Sequence, residues 1–385
     1  MEFAGSLGDL GTLIPLSVAL ITICGLSFTT VLLAVGLFYI VIGFYYRLPI
    51  PVQPLKVVSA IAIAFPEKIT LPMMSATGLI FGATLLLLAF SGIIDRIAKI
   101  FTKPIVRGIQ TGLGLILIMK GIAYIRKPEL FISNGSSAME LFGVPVNLII
   151  GIAGVALVLA LLTSKRFPAA LVIVFAGIIA GIAFGALNDL SPSLGPTEMR
   201  LYMPTASDFA NALFLLVIPQ IPLTIGNAII GTTDAAKSMF GEGETTARAT
   251  NRAFSTSMGL ANIVVGAFGG MPVCHGAGGL AAHYRFGART GGSNMMIGTL
   301  FVVIALVFGR IGVDLLTSIP NSVLGVLLLF AGLELAMLMR DLKERKDIFI
   351  VFLIAGIALA TTNMSIAFGF GIAAHYIMKW AKIEI

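Results

Sequence analysis

The chain is poor in charge. Only 11% of its 385 residues are Asp, Glu, Lys or Arg, less than half of the roughly one quarter found in soluble domains. With 58% hydrophobic residues and a mean hydropathy of +1.02, there is too little polar surface to face water all round. That excludes a soluble enzyme, a DNA-binding protein and a disordered scaffold. Cysteine is scarce too. Cys24 and Cys274 lie far apart in apolar surroundings and make no disulfide framework. The three histidines, His275, His283 and His375, offer no zinc spacing. There is no nucleotide-binding loop and no Ser/His or metal-ligand set, so neither an enzyme nor a cofactor is expected. The first apolar stretch opens on the acids Glu2 and Asp9 without a basic region before it, so no cleavable signal peptide is expected.

What is abundant is glycine and proline, 43 and 17 residues. In an apolar chain they point to closely packed and broken membrane helices. A span needs roughly 20 apolar residues. Segments that meet this run near 4–24, 28–46, 72–91, 105–125, 145–163, 169–187, 208–232, 250–268, 293–309, 318–339, 348–362 and 364–380. Two more, 55–65 and 276–286, are half as long. Each follows an extended, Pro-containing stretch, Leu48–Pro54 and Gly269–Cys274. The expectation is an all-α polytopic membrane protein of 14 transmembrane elements.

The net charge of +7 reads as a topology signal rather than a nucleic-acid signal. With the N-terminus inside and sides alternating, 18 Lys/Arg fall in inner loops and tail, among them Lys99, Lys165, Arg166 and Lys382. Five fall outside: Lys68, Arg126, Lys127, Arg200 and Arg310. Such a bias places both termini in the cytoplasm, with the plasma membrane the expected location.

Internal symmetry follows. Ile50-Pro51-Val52 and Met271-Pro272-Val273 are 221 residues apart, each before a half-length helix, and Pro104 and Pro320 are 216 apart. Glycines follow both prolines: Gly108, Gly112 and Gly114 in one case, Gly325 and Gly332 in the other. Splitting the chain at 188–207 leaves residues 1–187 and 208–385 with seven elements each. Seven is odd, so the second half is inverted. Inverted repeats with matched helix breaks are the signature of a secondary transporter with its site at the midplane.

Half-helices that start inside the bilayer expose free N–H groups and roughly half a positive charge each. Two such ends meeting at the midplane make an anion site. The first carries Gln53 and Lys56. The second is Cys274-His275-Gly276-Ala277-Gly278-Gly279, whose glycines admit a ligand close to the backbone. Lys56 is a fixed positive charge or a partner of Asp9. His275 is a ligand, a structural donor or a proton carrier. Pro219–Asn227 adds Gln220, Thr224 and Asn227 as substrate-facing candidates. Backbone N–H groups at 55–57 and 276–279 are expected to supply most hydrogen bonds. Asp9 and His275 are the coupling candidates, and Lys120 and Glu334 read as interfacial or gate residues.

Several of these strings resemble one family: Gly5-Ser6-Leu7-Gly8-Asp9-Leu10-Gly11, Pro49–Lys56, Pro219–Thr224, and above all Gly270–Leu280 with Phe286–Gly292. The resemblance is to the molybdate transporters, relatives of the sulfate permeases and, more distantly, of nucleobase transporters such as the uracil permease. It covers nearly the whole chain. It implies a seven-plus-seven inverted repeat and a tetrahedral oxyanion substrate. It also implies a core domain of about 1–95 plus 208–309, and a gate or dimerisation domain of about 96–187 plus 310–385. Sulfate permeases usually carry a soluble regulatory domain after the membrane part. This chain stops at Ile385, just past its last helix, which fits the molybdate branch. The leading reading is an oxyanion symporter for molybdate, dimeric and surrounded by lipid. Sulfate or tungstate transport, a nucleobase or organic-anion carrier, and an anion channel are the alternatives.

Overall fold

The computed structural model describes residues 1–98, 100–132, 138–162, 164, 168–186 and 193–381. Lys99, Lys165, Arg166, Lys382 and residues 188–192 of the expected linker lie outside them. The chain is mostly helical. Its helices are α1 (Glu2–Ser6), α2 (Leu10–Thr22), α3 (Phe28–Tyr46), α4 (Lys56–Ala64), α5 (Leu71–Ser91), α6 (Ile94–Ala98), α7 (Lys103–Arg126), α8 (Val146–Leu161) and α9 (Ala169–Ala183). The second half continues with α10 (Ala206–Ala212), α11 (Ile218–Leu223), α12 (Gly231–Phe240), α13 (Asn251–Ala267), α14 (Ala277–Arg285), α15 (Gly291–Val307), α16 (Gly309–Thr317), α17 (Asn321–Ala336), α18 (Arg345–Thr361) and α19 (Met364–Trp380). Among the described residues, five helical stretches are long and apolar enough to cross a membrane. They become six if α15 and α16, bent by 88° at Phe308, count as one.

Local chemistry accounts for the helix starts and breaks. Ser27, Thr70, Thr250, Thr290 and Asn363 each cap a helix by accepting a backbone N–H with the side chain. The segment expected as one helix over 4–24 is two, because the chain breaks at Leu7–Asp9 and Asp9 becomes the N-cap residue of α2. The segment expected over 208–232 is also irregular. Pro219 and Pro222 lack the N–H that continues an α-helix, and wider π-type turns, Leu213–Val217 and Thr224–Ile230, flank the proline pair.

Three helix pairs form the packing frame: α3 with α15, α5 with α13, and α7 with α17. Glycine meets glycine in each. A Cβ on Gly36 would lie 2.7 Å from the Gly298 carbonyl, one on Gly82 2.7 Å from Gly259, and one on Gly121 2.6 Å from Gly325. These contacts allow backbones to approach within van der Waals range, as membrane helices do in place of hydrophobic association. Gly114 meets Gly332 in the same way. Gly108 and Gly112 turn instead to Ile354, Ala355 and Ala358 of α18. Lys120 lies beside the Gly121–Gly325 contact and Glu334 near the Gly114–Gly332 contact, two turns apart along the same helix pair.

At the centre, β1 (Gln53–Pro54) pairs antiparallel with β4 (Val273–Cys274). Gln53 stands opposite Cys274, and Pro54 opposite Val273. A second two-stranded ribbon, β2 (Glu140–Leu141) with β3 (Val144–Pro145), lies in an exposed loop.

Candidate functional site

Extended backbone inside a bilayer must find partners for its peptide groups within the protein. The Leu48–Pro54 stretch does so one carbonyl at a time. The Pro49 carbonyl accepts from His283 Nδ1 at 2.9 Å, Ile50 from Asn294 Nδ2 at 2.7 Å, Pro51 from His275 Nδ1 at 2.9 Å, and Val52 from the Tyr39 hydroxyl at 3.3 Å. Pro54 faces Cys274 Sγ at 3.6 Å. The prolines have no N–H to satisfy, which halves the task. The second stretch is held by Asn262, whose amide donates to the Val273 carbonyl at 2.7 Å and accepts the Val273 N–H at 3.0 Å. All of these side chains are buried.

This scaffold sets the N-terminal ends of α4 and α14 next to each other, but the two ends are not alike. At α4, the Leu55 N–H donates to the Pro272 carbonyl at 2.9 Å. The Val57 N–H donates to Gln220 Oε1 at 2.9 Å, and Gln220 Nε2 in turn donates to Thr224 Oγ1 at 2.9 Å. Gln220 and Thr224 are thus tied to the half-helix they were expected to accompany as anion ligands. Of the backbone donors expected at 55–57, the Lys56 N–H alone has no partner among the described residues. At α14, Gly276 is the N-cap residue and no side chain caps the first turn. Ala277 and Gly278 of that turn border open space, while Gly279 is buried.

The glycines of that end have different neighbours. A Cβ on Gly276 would collide with Gln53 Oε1. One on Gly279 would lie 2.6 Å from Asp9 Oδ2 and from Gln53 Nε2. Gly278 is exposed and a Cβ there would meet nothing within 4 Å. Gly278, the half-buried Ala277 and the half-buried Asn227 therefore border open space, while Gly276 and Gly279 lie under the Gln53 and Asp9 side chains.

Asp9 and Gln53 form the polar floor. Gln53 Nε2 donates to both carboxylate oxygens of Asp9 at 2.8 Å, and Gln53 Oε1 is buried without a hydrogen-bond partner. Asp9 is held by Gln53 rather than by Lys56, one of the two roles expected for that lysine, and Gln53 spends its donors on Asp9. Lys56 is half-buried and makes no ion pair among the described residues.

His275 has no exposure at all. Its Nδ1 is on Pro51 and its Nε2 shares a hydrogen bond with Ser257 Oγ at 3.0 Å. Phe38 stacks on the ring at 5.2 Å, and Phe254 and Tyr46 meet it edge-on. Of the three roles expected for His275, this geometry is that of the structural donor. The sequence reading passed over His283, Asn262, Asn294 and Tyr39. Their signal was a polar side chain within an otherwise apolar helix. A groove of about 540 Å³ between α3 and α13 is a different surface. Exposed Leu37, Val41, Leu260 and Val264 line it, and it suits lipid rather than an anion.

Two half-helices starting beside a paired strand, inside a glycine-packed helical frame, make a membrane-transporter fold. Solved structures agree on that fold. The transmembrane domain of a cyanobacterium bicarbonate transporter, BicA, superposes with a TM-score of 0.67 at 15% identity, covering 97% of this chain and 96% of that one. Murine Solute Carrier 26 family member A9, an anion transporter in the inward-facing state, gives 0.69 at 16% identity, covering all of this chain and 69% of that one. The sequence then specifies the branch. The family model "Molybdate transporter of MFS superfamily" matches residues 1–117 and 212–335. Molybdate transporter 2 of Arabidopsis thaliana is 31% identical over 100% of this chain and 88% of its own length. Molybdate transporter 1 of the same plant is 32% identical over 99% and 88%. The chain belongs to the molybdate transporter family and is an integral membrane protein.

Proposed function

We propose that this protein is a secondary active transporter that takes up molybdate across the plasma membrane by alternating access. The observation that carries the reading is the uncapped N-terminus of α14, opened by exposed Gly278 and set beside α4 through the β1–β4 pairing. A small dianion stripped of water needs many donors at once, since an unpaired charge in a dry site is very costly. The N–H groups of Gly276, Ala277, Gly278 and Gly279, the Lys56 N–H and ammonium, and the Asn227 amide supply them without long side chains other than Lys56. Gln53, Gln220, Thr224 and His275 shape the site by holding its backbone in this conformation, and each remains a candidate contact once the half-helices move.

The architecture proposed with it is the 14-element, seven-plus-seven inverted repeat. Four contacts support it: each is between elements that the repeat makes equivalent or exchanges, namely β1 with β4, α7 with α17, and the crossed pairs α3–α15 and α5–α13. The core of about 1–95 plus 208–309 carries the site past a gate of about 96–187 plus 310–385, through which two copies associate. Both termini face the cytoplasm. A dianion entering a negative interior works against about 2.3 kcal/mol per charge per 100 mV, so accumulation draws on a co-transported cation, most simply the proton, with Asp9 beside the site. Binding of molybdate, tungstate, sulfate and uracil to the purified protein, measured by calorimetry, tests the reading. Molybdate is expected to bind, with tungstate close behind, sulfate weaker and uracil absent. No molybdate binding would overturn it.

A further inference from the structure

His283 is the buried titratable side chain for which the site as described has no use. It lies on α14, one turn beyond Gly279, and is fully enclosed. Its Nδ1 donates to the Pro49 carbonyl at 2.9 Å. A carbonyl oxygen only accepts, so this bond fixes the proton on Nδ1 and leaves Nε2 as a bare lone pair. That nitrogen is buried and has no hydrogen-bond partner among the described residues. Helix α14 packs against the break between α1 and α2. A Cβ on Gly8 would lie 2.8 Å from the carbonyl of Ala282, the neighbour of His283, and one on Gly279 2.6 Å from the Asp9 carboxylate.

We propose that His283 Nε2 carries the proton that accompanies the oxyanion. This rests on the reading above, since it names the coupling group of that same site. In the empty site a neutral His283 adds no charge. Arrival of a dianion brings two negative charges to the helix end. The Nε2 lone pair then takes one proton from the water on the side to which the site is open. The imidazolium lies one turn beyond Gly279, which the Asp9 carboxylate covers, on the helix whose open end holds the anion; its proton leaves to the opposite side after the anion does. No bond to Pro49 is broken, because Nδ1 keeps its own hydrogen. His275 is unsuited to the task, because both its nitrogens are already bonded.

The groups around His283 leave it this role. From α3 it meets Tyr39, with ring centroids 6.3 Å apart, whose hydroxyl is on Val52. From α1, Glu2 is committed to the backbone N–H groups of Arg289 and Thr290. On α12, Asp234 is exposed and Lys237 pairs with Glu242 at 3.9 Å. On its own helix, Arg285 is exposed, as is Arg289 just beyond it. Asp9 is thus the one buried acid among them.

The test uses the full chain, purified in weakly buffered detergent solution with a pH-indicator dye. Molybdate is expected to draw about one proton from solution per anion bound. In His283→Gln, molybdate still binds while this uptake falls by at least half. Uptake in the variant equal to that of the unaltered protein would overturn the proposal. Because the variant can fail to fold, the unaltered protein supplies a second measurement. With only three histidines in the chain, ring-¹⁵N-labelled histidine gives three sets of signals, and the His375→Gln protein removes one. Molybdate is expected to move one Nε2 signal from the bare to the protonated position, with the His275 ring unchanged. Binding without such a shift would overturn the proposal, whereas absence of molybdate binding altogether would instead refute the transport reading.

Discussion

The imidazole Nδ1 of His275 lies 2.9 Å from the carbonyl oxygen of Pro51, across 224 residues of sequence. This bond joins the two breaks: a residue just before the second half-helix holds the extended strand before the first. The same ring is locked from behind by Ser257 and by three aromatic side chains.

Replacing His275 therefore damages the scaffold. His275→Ala strands the Pro51 carbonyl in an apolar interior, at about 1–3 kcal/mol for an unsatisfied buried group, and opens a cavity among the aromatics besides. The expected outcome is a lower melting temperature in detergent, with affinity lost in proportion to folded protein. His275→Ala that melts like the unaltered protein but binds no molybdate would restore the ligand role.

Gly276 and Gly278 separate packing from binding. Gly276→Ala drives a methyl group into Gln53 Oε1, so it disturbs the Asp9–Gln53 pair and lowers both stability and affinity. Gly278→Val enters open space. It is expected to leave the melting temperature within a degree or two and to cut molybdate affinity at least tenfold, because the side chain fills the volume in front of the free N–H groups. Melting curves and calorimetric titrations of the two variants check this contrast; equal affinities for Gly278→Val and the unaltered protein would move the anion elsewhere.

Much of this arrangement was legible in the chain before folding. Low charge and long apolar runs set the membrane class, and Pro-rich stretches before short helices set the two breaks. The partners of those breaks were not legible. Asn294 meets Ile50 across 244 residues and His283 meets Pro49 across 234, and no local pattern specifies such contacts. The split of the first segment at Asp9 was hidden as well, because Gly8-Asp9 reads equally as helix interior or cap. Gln220 was recognised as polar and central, but its bond to the Val57 N–H depends on how the π-type turns around Pro219 and Pro222 rotate the helix.

Gln220 is accordingly expected to act through α4. Gln220→Ala frees the Val57 N–H and costs about 0.5–2 kcal/mol, the range for losing a helix cap. Gln220→Glu places a carboxylate at the same helix end, where it stabilises the half-helix but repels a dianion. The expected pattern is opposite signs: the alanine variant melts lower and binds near normally, the glutamate variant melts no lower and binds at least tenfold more weakly. Melting curves with titrations decide it, and equal binding by both variants would place the anion away from α4.

Topology can be tested in the loop between the two halves. The charge bias predicts that residues 188–207 face outside. Gly195 is a poor reporter, with φ at +115° and its backbone bonded to Val307 and Arg310. Ser193 is exposed instead. In a Cys24→Ala background, Ser193→Cys is expected to react with a membrane-impermeant maleimide in intact cells. Reaction only after permeabilisation would reverse the orientation of every helix.

Lys56 is the sharpest test of the site's electrostatics. It is the N-terminal residue of α4, half-buried, and makes no ion pair or side-chain hydrogen bond among the described residues. Asp9, the nearby acid, takes its hydrogen bonds from Gln53. An ammonium held so near a helix N-terminus is unfavourable for that helix, because the dipole already places positive charge there. The fold gains nothing from the charge, so its removal should not unfold the protein, and Lys56→Met keeps the apolar stem that packs along the helix. A dianion at the open end of α14 would be the group that benefits. One charge-assisted hydrogen bond is worth about 1.5–3 kcal/mol, and each 1.4 kcal/mol is about tenfold in affinity. Lys56→Met is therefore expected to weaken molybdate binding by about ten- to a hundredfold with an unchanged or slightly raised melting temperature. Lys56→Arg, which keeps the charge, should recover part of the loss. Unchanged affinity in Lys56→Met would show that the anion is held without this charge and that the site is built from backbone alone.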